Sequence, residues 1–242
     1  MYRNLDSEKT ISTIALLEKR IEERFPDSGL SKVCKELHRI ANENKYRSEL
    51  IARPNHMLRF GVAMVIALII TVLIVSVTSM DIALKTIDAG ELVQITEAGL
   101  NDIILIGAAL FFLVSVETRI KRSRALQALH ELRSIAHVID MHQLTKDPGK
   151  LLRNVIYTPS SPQKHMNAYQ LSRYLDYCSE MLSLTGKIAA IYAQNFRDAV
   201  VLSAVNEVES LTTGLSRKIW QKIIILHKLD DAGSVDTNSD AL

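Results

Sequence analysis

From its first residue at Phe60 to its last at Met80, one stretch reads FGVAMVIALIITVLIVSVTSM. These 21 residues include no charged side chain, and only Thr71, Ser76, Thr78 and Ser79 are polar. At 1.5 Å per residue the stretch makes about 31 Å of helix, the thickness of a bilayer's hydrocarbon core. A core helix of a soluble domain would carry a polar stripe, which this one lacks. A weaker apolar run begins at Ile103 and ends at Val116; its 14 residues are too few to cross alone. Extended to begin at Ala98 and end at Thr118, it reaches full length with Asp102 near one interface. The pattern predicts a hairpin over 58–118, with spans over about 60–80 and 98–118.

Elsewhere the apolar positions recur at helical spacing. Over 6–25 they are Ile11, Ile14, Leu17, Ile21 and Phe25, with Asp6 or Ser7 as cap and Pro26 as stop. After the turn at 26–29 a second helix carries Leu30, Val33, Leu37, Ile40 and Ala41 and ends by Arg53. Beyond the second span Ala125, Leu129, Leu132, Ala136 and Ile139 predict one long helix that leaves the bilayer and stops near 146–149. A turn-rich loop containing TPSSP at 158–162 follows. A helix over about 168–195 turns Leu171, Cys178, Met181, Ile188 and Tyr192 inward. Another over about 198–229 carries Val201, Val205, Val208, Leu211, Leu215, Ile219 and Leu226. The expected fold class is all-α: a two-span hairpin with a helical bundle assembled from both ends of the chain. The segments are an N-terminal helical pair over 1–55, the hairpin, a helical domain over 119–229, and an acidic tail over 230–242 expected to be disordered.

Charge orients the hairpin. Lys45, Arg47, Arg53 and Arg59 precede it against Glu49, and Arg119, Lys121, Arg122 and Arg124 follow it against Glu117 and Glu131. The connector over 81–102 reverses the balance, with Lys85 facing Asp81, Asp88, Glu91, Glu97 and Asp102. Basic flanks stay cytoplasmic, so both termini are expected inside. The first span starts too far along and is too long to read as a cleaved signal peptide. The formal charge of +2 includes an acidic tail with Asp230, Asp231, Asp236 and Asp240, so the positive excess lies on the rest of the chain. That excess clusters beside the membrane, where anionic lipid accounts for it, and no basic stripe predicts direct nucleic-acid binding. Gly (9) and Pro (5) are scarce, which agrees with helices. Cys34 and Cys178 are too few for a disulfide framework or a zinc site.

Three clusters are candidates for chemistry. His137, Asp140 and His142, with His130 two turns below, lie on the long helix. His137 and Asp140 share a face at i and i+3, but His142 points roughly 140° away from His137, so a metal-dependent hydrolase needs ligands from another helix. Tyr169, Arg173, Tyr174 and Tyr177, with Asp176 and Glu180, open the next helix and suit either a subunit interface or a pocket for a nucleotide-like ligand. In the membrane, Ala63 with Ala67 and Gly107 with Ala108 allow close helix approach, within the hairpin or between protomers. No P-loop, dinucleotide fingerprint, GxSxG elbow or CxxC pair occurs, and neither an enzyme nor a cofactor is predicted.

Two function classes follow. In one, the soluble helices sense a partner, and a change of association repacks the hairpins and breaches the membrane. In the other, the hairpin anchors a scaffold or adaptor. The hairpin from Phe60 to Val116, set between helical cytoplasmic parts, resembles the small two-span effectors of bacterial anti-phage abortive-infection systems, including those that accompany retrons. The resemblance is one of architecture. It implies a homo-oligomeric inner-membrane toxin, held silent by a regulatory protein or ribonucleoprotein, that kills the infected cell by damaging its membrane.

Overall fold

The computed structural model describes residues 4–79, 89–151, 159 and 166–239, and among these all regular structure is helical. In chain order the helices are α1 (Ser7–Arg24), α2 (Gly29–Ala52), α3 (His56–Ser79), α4 (Ala89–Leu144), α5 (Ala168–Asn195) and α6 (Ala199–Ser239), with a 3-10 turn at Pro148–Leu151. Short polar side chains set their starts. Asp6 accepts from the amides of Glu8 and Lys9 at 2.9 and 3.3 Å, and Asn55 accepts from that of Leu58 at 3.2 Å. Asn167 forms a reciprocal capping box with Gln170, and Asp198 accepts from the amides of Val200 and Val201. Each satisfies donors that the first helical turn leaves without partners. Between α1 and α2 the chain turns at Asp27, whose φ of 53° is one of the few left-handed positions that Asp tolerates.

The chain divides into two units, one formed by Met1–Ala52 with Arg124–Leu242 and the other by Arg53–Ser123. In the first unit α5 packs against α1, α2 and α6. Half of its residues are buried, with Leu171, Leu175, Cys178, Leu182, Thr185 and Ala189 among its core positions. The α4 side chains Ala125, Leu129, Leu132, Ala136 and Ile139 join the same core, as do Ile14, Leu17 and Ile21 of α1 and Val201, Val205, Val208 and Ile219 of α6. Arg47 of α2 bonds Glu131 of α4 at 2.7 Å. In the core the hydroxyl of Tyr192 on α5 donates to Oδ1 of Asn44 on α2 at 2.7 Å. Helices α5 and α6 approach closely at Gly186, where an added Cβ would lie 3.1 Å from Oγ1 of Thr212.

The second unit has the opposite surface. Its helices α3 and α4 include windows long and apolar enough to cross a membrane, and none of either window is buried within the chain. Phe60, Met64, Leu68, Ile103, Phe111 and Val114 are each more than half exposed. Half-buried residues form a stripe on each helix: Leu58, Val62, Ile66 and Ile69 on α3, and Ile106, Leu110, Leu113 and Glu117 on α4, where Ser115 and Val116 are half-buried as well.

Three boundaries differ from those expected. The acidic stretch expected to be disordered continues α6 through to Ser239. Extending an anchored helix needs no new nucleus, and residues 230–239 include no proline. The connector expected over 81–102 is already helical from Ala89, so the helix of the second span starts well before Ala98. The first span's helix begins at His56, ahead of Phe60, because Asn55 caps it. Met80 and the TPSSP turn (Pro159 apart) lie outside the described residues.

Gly186→Val should cost about 1–3 kcal/mol, the usual penalty for overfilling a packed contact. Urea denaturation of the two proteins, compared at equal slope, measures it.

Candidate functional site

The face between α1 and the first half of α5 gathers the aromatic cluster. Tyr174 and Tyr177 are buried, at 4% and 2% exposure, whereas Tyr169 is exposed. They are buried because Phe25, which ends α1, meets both edge-on, with ring centroids 5.5 Å from Tyr174 and 6.4 Å from Tyr177. Cations cover the remaining ring surface. The guanidinium carbons of Arg20 and Arg173 lie 5.9 and 5.1 Å from the Tyr177 centroid, and Nζ of Lys146 lies 4.9 Å from that of Tyr174. Arg24 lies 5.3 Å from the Tyr169 centroid and donates to its hydroxyl at 2.8 Å. Each such contact stabilises by about 0.5–1 kcal/mol at exposed positions. Carboxylates balance two of the arginines: Arg20 bonds Glu180 at 2.7 Å and Arg173 bonds Asp176 at 3.0 Å. Burial pushes the Tyr174 phenol above its ordinary range, so it stays neutral.

Tyr169, Arg173, Tyr174 and Tyr177 therefore share one face, but Tyr174 and Tyr177 hold α1 against α5, and neither of these two rings is free to stack on a base. What remains accessible is Tyr169 with the three guanidinium groups. The sequence reading missed Phe25, Arg20 and Arg24 as members of this cluster. Their spacing of four and five along α1 was the available signal, and it places Arg20 and Arg24 on one side of that helix.

The histidine cluster does not converge. His130 and His137 are exposed on α4, while Oδ1 of Asp140 accepts from Nε2 of Gln143 at 2.7 Å. His142 packs instead on the start of α2, where a Cβ added at Gly29 would lie 2.5 Å from its Cε1. Among the described residues no three His, Cys, Asp or Glu side chains come together as a metal site. The geometric reason is the long arc between His137 and His142, which turns them to different neighbours. Burial, and then the charge of Lys146, hold the His142 imidazole below its ordinary pKa of 6.5.

Beside it Lys222 of α6 closes the end of α4. Its ammonium donates to the carbonyl oxygens of Gln143 and Lys146 at 2.9 and 3.1 Å and to Oε1 of Gln143 at 2.7 Å. A cation there satisfies terminal carbonyls and complements the negative end of the helix dipole.

In the second unit the small residues Ala63, Ala67, Gly107 and Ala108 all lie on exposed faces rather than on the half-buried stripes. A Cβ added at Gly107 would meet nothing within 4 Å. The stripes are made by larger aliphatic side chains, so the contact within the hairpin does not use these small positions. Of the expected span ends, Phe60 and Thr118 are exposed on α3 and α4, and Ala98 lies within α4. The chain matches no protein-family description, no curated protein and no solved structure.

Two expectations follow. Lys222→Met should lower stability by about 1–3 kcal/mol, because it strips a charged donor from partly buried carbonyls; chemical denaturation reads this directly. Folding holds the His142 pKa below its unfolded value of about 6.5, so its contribution is present above that pH and lost as pH falls toward the lower folded value. The thermal midpoint should therefore drop between pH 7.5 and 5.5, and His142→Gln should flatten that dependence; parallel slopes for both proteins would exclude the assignment.

Proposed function

We propose that the chain is an integral membrane protein that crosses a bacterial inner membrane twice, with both ends in the cytoplasm, and acts through helix association. The observation that carries this reading is the unburied apolar surface of α3 and α4. Burying a large apolar side chain is favourable by about 1.5–3 kcal/mol. Leaving Phe60, Met64, Leu68, Ile103, Phe111 and Val114 in water would forfeit on the order of 10 kcal/mol, as much as the whole net stability of a typical domain. Lipid removes that cost. The orientation rests on the basic flanks at Arg53, Arg59, Arg119 and Lys121.

The effector reading goes one step further. The protein is a membrane-damaging defence effector kept quiet by a cytoplasmic regulator, and its active form is a homo-oligomer. The layout of hairpin and soluble bundle supports it. So do the outward-facing small residues Ala63, Ala67, Gly107 and Ala108, which permit close approach of a second protomer's helices. A specific observation favours the second reading, a membrane-anchored interaction module. Trp220 and Ile224, one turn apart on α6, are 55% and 51% exposed, as a partner-binding face would be.

Controlled expression in bacteria separates the two. The effector reading predicts loss of membrane potential, followed by a voltage-sensitive dye, and its abolition by Ala108→Arg, since a mid-span arginine costs about 2.5–3.5 kcal/mol to insert. An unchanged potential at high membrane-inserted levels, with the regulator absent, leaves the anchored module as the function.

A further inference from the structure

One acid–base cluster joins α3 to α4 in the second unit, and it centres on Glu117. This carboxylate accepts from Nε of Arg59 at 2.7 Å, from Nζ of Lys121 at 2.9 Å and from the backbone amide of Asn55 at 3.2 Å. It is only 16% exposed. Two of its donors belong to the start of α3: Asn55 caps that helix, and Arg59 lies in its first turn. The third, Lys121, lies one turn further along α4 itself. An anion at a helix N-terminus also faces the positive end of the helix dipole.

The position matters because the rest of the contact is apolar. Leu58, Val62, Ile66 and Ile69 form the stripe on α3, and Ile106, Leu110 and Leu113 form that on α4. In lipid such stripes gain no hydrophobic free energy from meeting, because acyl chains are equally apolar. A charge-assisted bond at one end then decides the spacing of the helices. At the same end the chain enters the hairpin: α2 ends at Ala52 and α3 begins at His56, so residues 53–55 are the whole connection between these two helices. Asn55, the last residue of that connection, bonds Glu117 through its backbone amide.

We infer that Glu117 is the clamp that keeps the basic-flanked end of the hairpin closed, and that release of Asn55 and Arg59 from it is the step that opens the helices. This rests on the reading of α3 and α4 as membrane spans. Glu117 and Arg59 are positioning residues here. Lys121 holds Glu117 from within α4, so its loss leaves the bonds from Glu117 to Asn55 and Arg59 in place, and it is the internal control.

The test uses the full chain in lipid nanodiscs with spin labels at Met57→Cys and Thr118→Cys, both exposed positions. The native Cys34 and Cys178 are buried, with thiols pushed up by that burial to about 12, and stay unlabelled. Electron paramagnetic resonance should report one narrow separation for the otherwise wild-type chain and for Lys121→Gln. It should report a longer, broader one for Glu117→Gln and Arg59→Gln, with helical content by circular dichroism unchanged. A wild-type separation in Glu117→Ala overturns the clamp. Release of a trapped dye from phosphatidylethanolamine–phosphatidylglycerol vesicles is the second measurement. Faster leakage by the two open variants joins the clamp to membrane damage. A widened hairpin without leakage keeps the clamp and removes the membrane-damaging reading instead.

Discussion

The apolar surface that α3 and α4 cannot bury against anything in their own chain is the constraint on which the rest depends. Each helix covers one stripe, Leu58 to Ile69 on one and Ile106 to Leu113 on the other, and leaves the remaining circumference apolar and open. Only a bilayer or another protein surface can take up such an area, because water cannot solvate it at tolerable cost. The hairpin is therefore defined as much by its solvent as by its contacts. A cluster of polar and charged groups closes one end, at Asn55, Arg59, Glu117 and Lys121, where the apolar run stops.

The first unit meets the same hydrophobic demand in the opposite way. Its central helix α5 supplies the largest share of the core, and α1, α2, α4 and α6 cover its apolar side. A core of aliphatic side chains tolerates more than one register, and a few polar contacts select among them. Tyr192 with Asn44 ties α5 to α2, Arg47 with Glu131 ties α2 to α4, and Lys222 ties α6 to the end of α4. The aromatic cluster at Phe25, Tyr174 and Tyr177 adds a fourth contact, and its outer rim of Arg20, Arg24, Arg173 and Tyr169 has the composition of protein interfaces.

Much of this is legible in the sequence. The inward positions read from spacing alone, Ile14, Leu17 and Ile21 on α1 or Leu171, Cys178, Met181, Ile188 and Tyr192 on α5, are buried. Periodicity succeeds there because each helix is amphipathic by itself. It did not reveal that Leu175, Leu182 and Tyr177 are buried as well, because the buried arc of α5 is wider than one stripe and leaves only the narrow polar face through Asp176, Glu180, Ser183 and Lys187. Helix ends were less legible: Gly233 and the aspartates after Leu229 read as a tail, yet α6 continues through them.

Local rules act between residues three or four apart, so the chain alone determined its helices, its two apolar runs, the capped start of its first helix and the charge of its flanks. Contacts between residues tens of positions apart belong to the tertiary structure. Only packing decided that Phe25 closes over Tyr174 and Tyr177, that His142 leaves His137 to rest on Gly29, that Lys222 caps α4, and that Glu117 takes Arg59 and the Asn55 amide. The physical reason is that helical periodicity says which way a side chain points. It does not say which neighbour it meets, because that depends on how whole helices pack together.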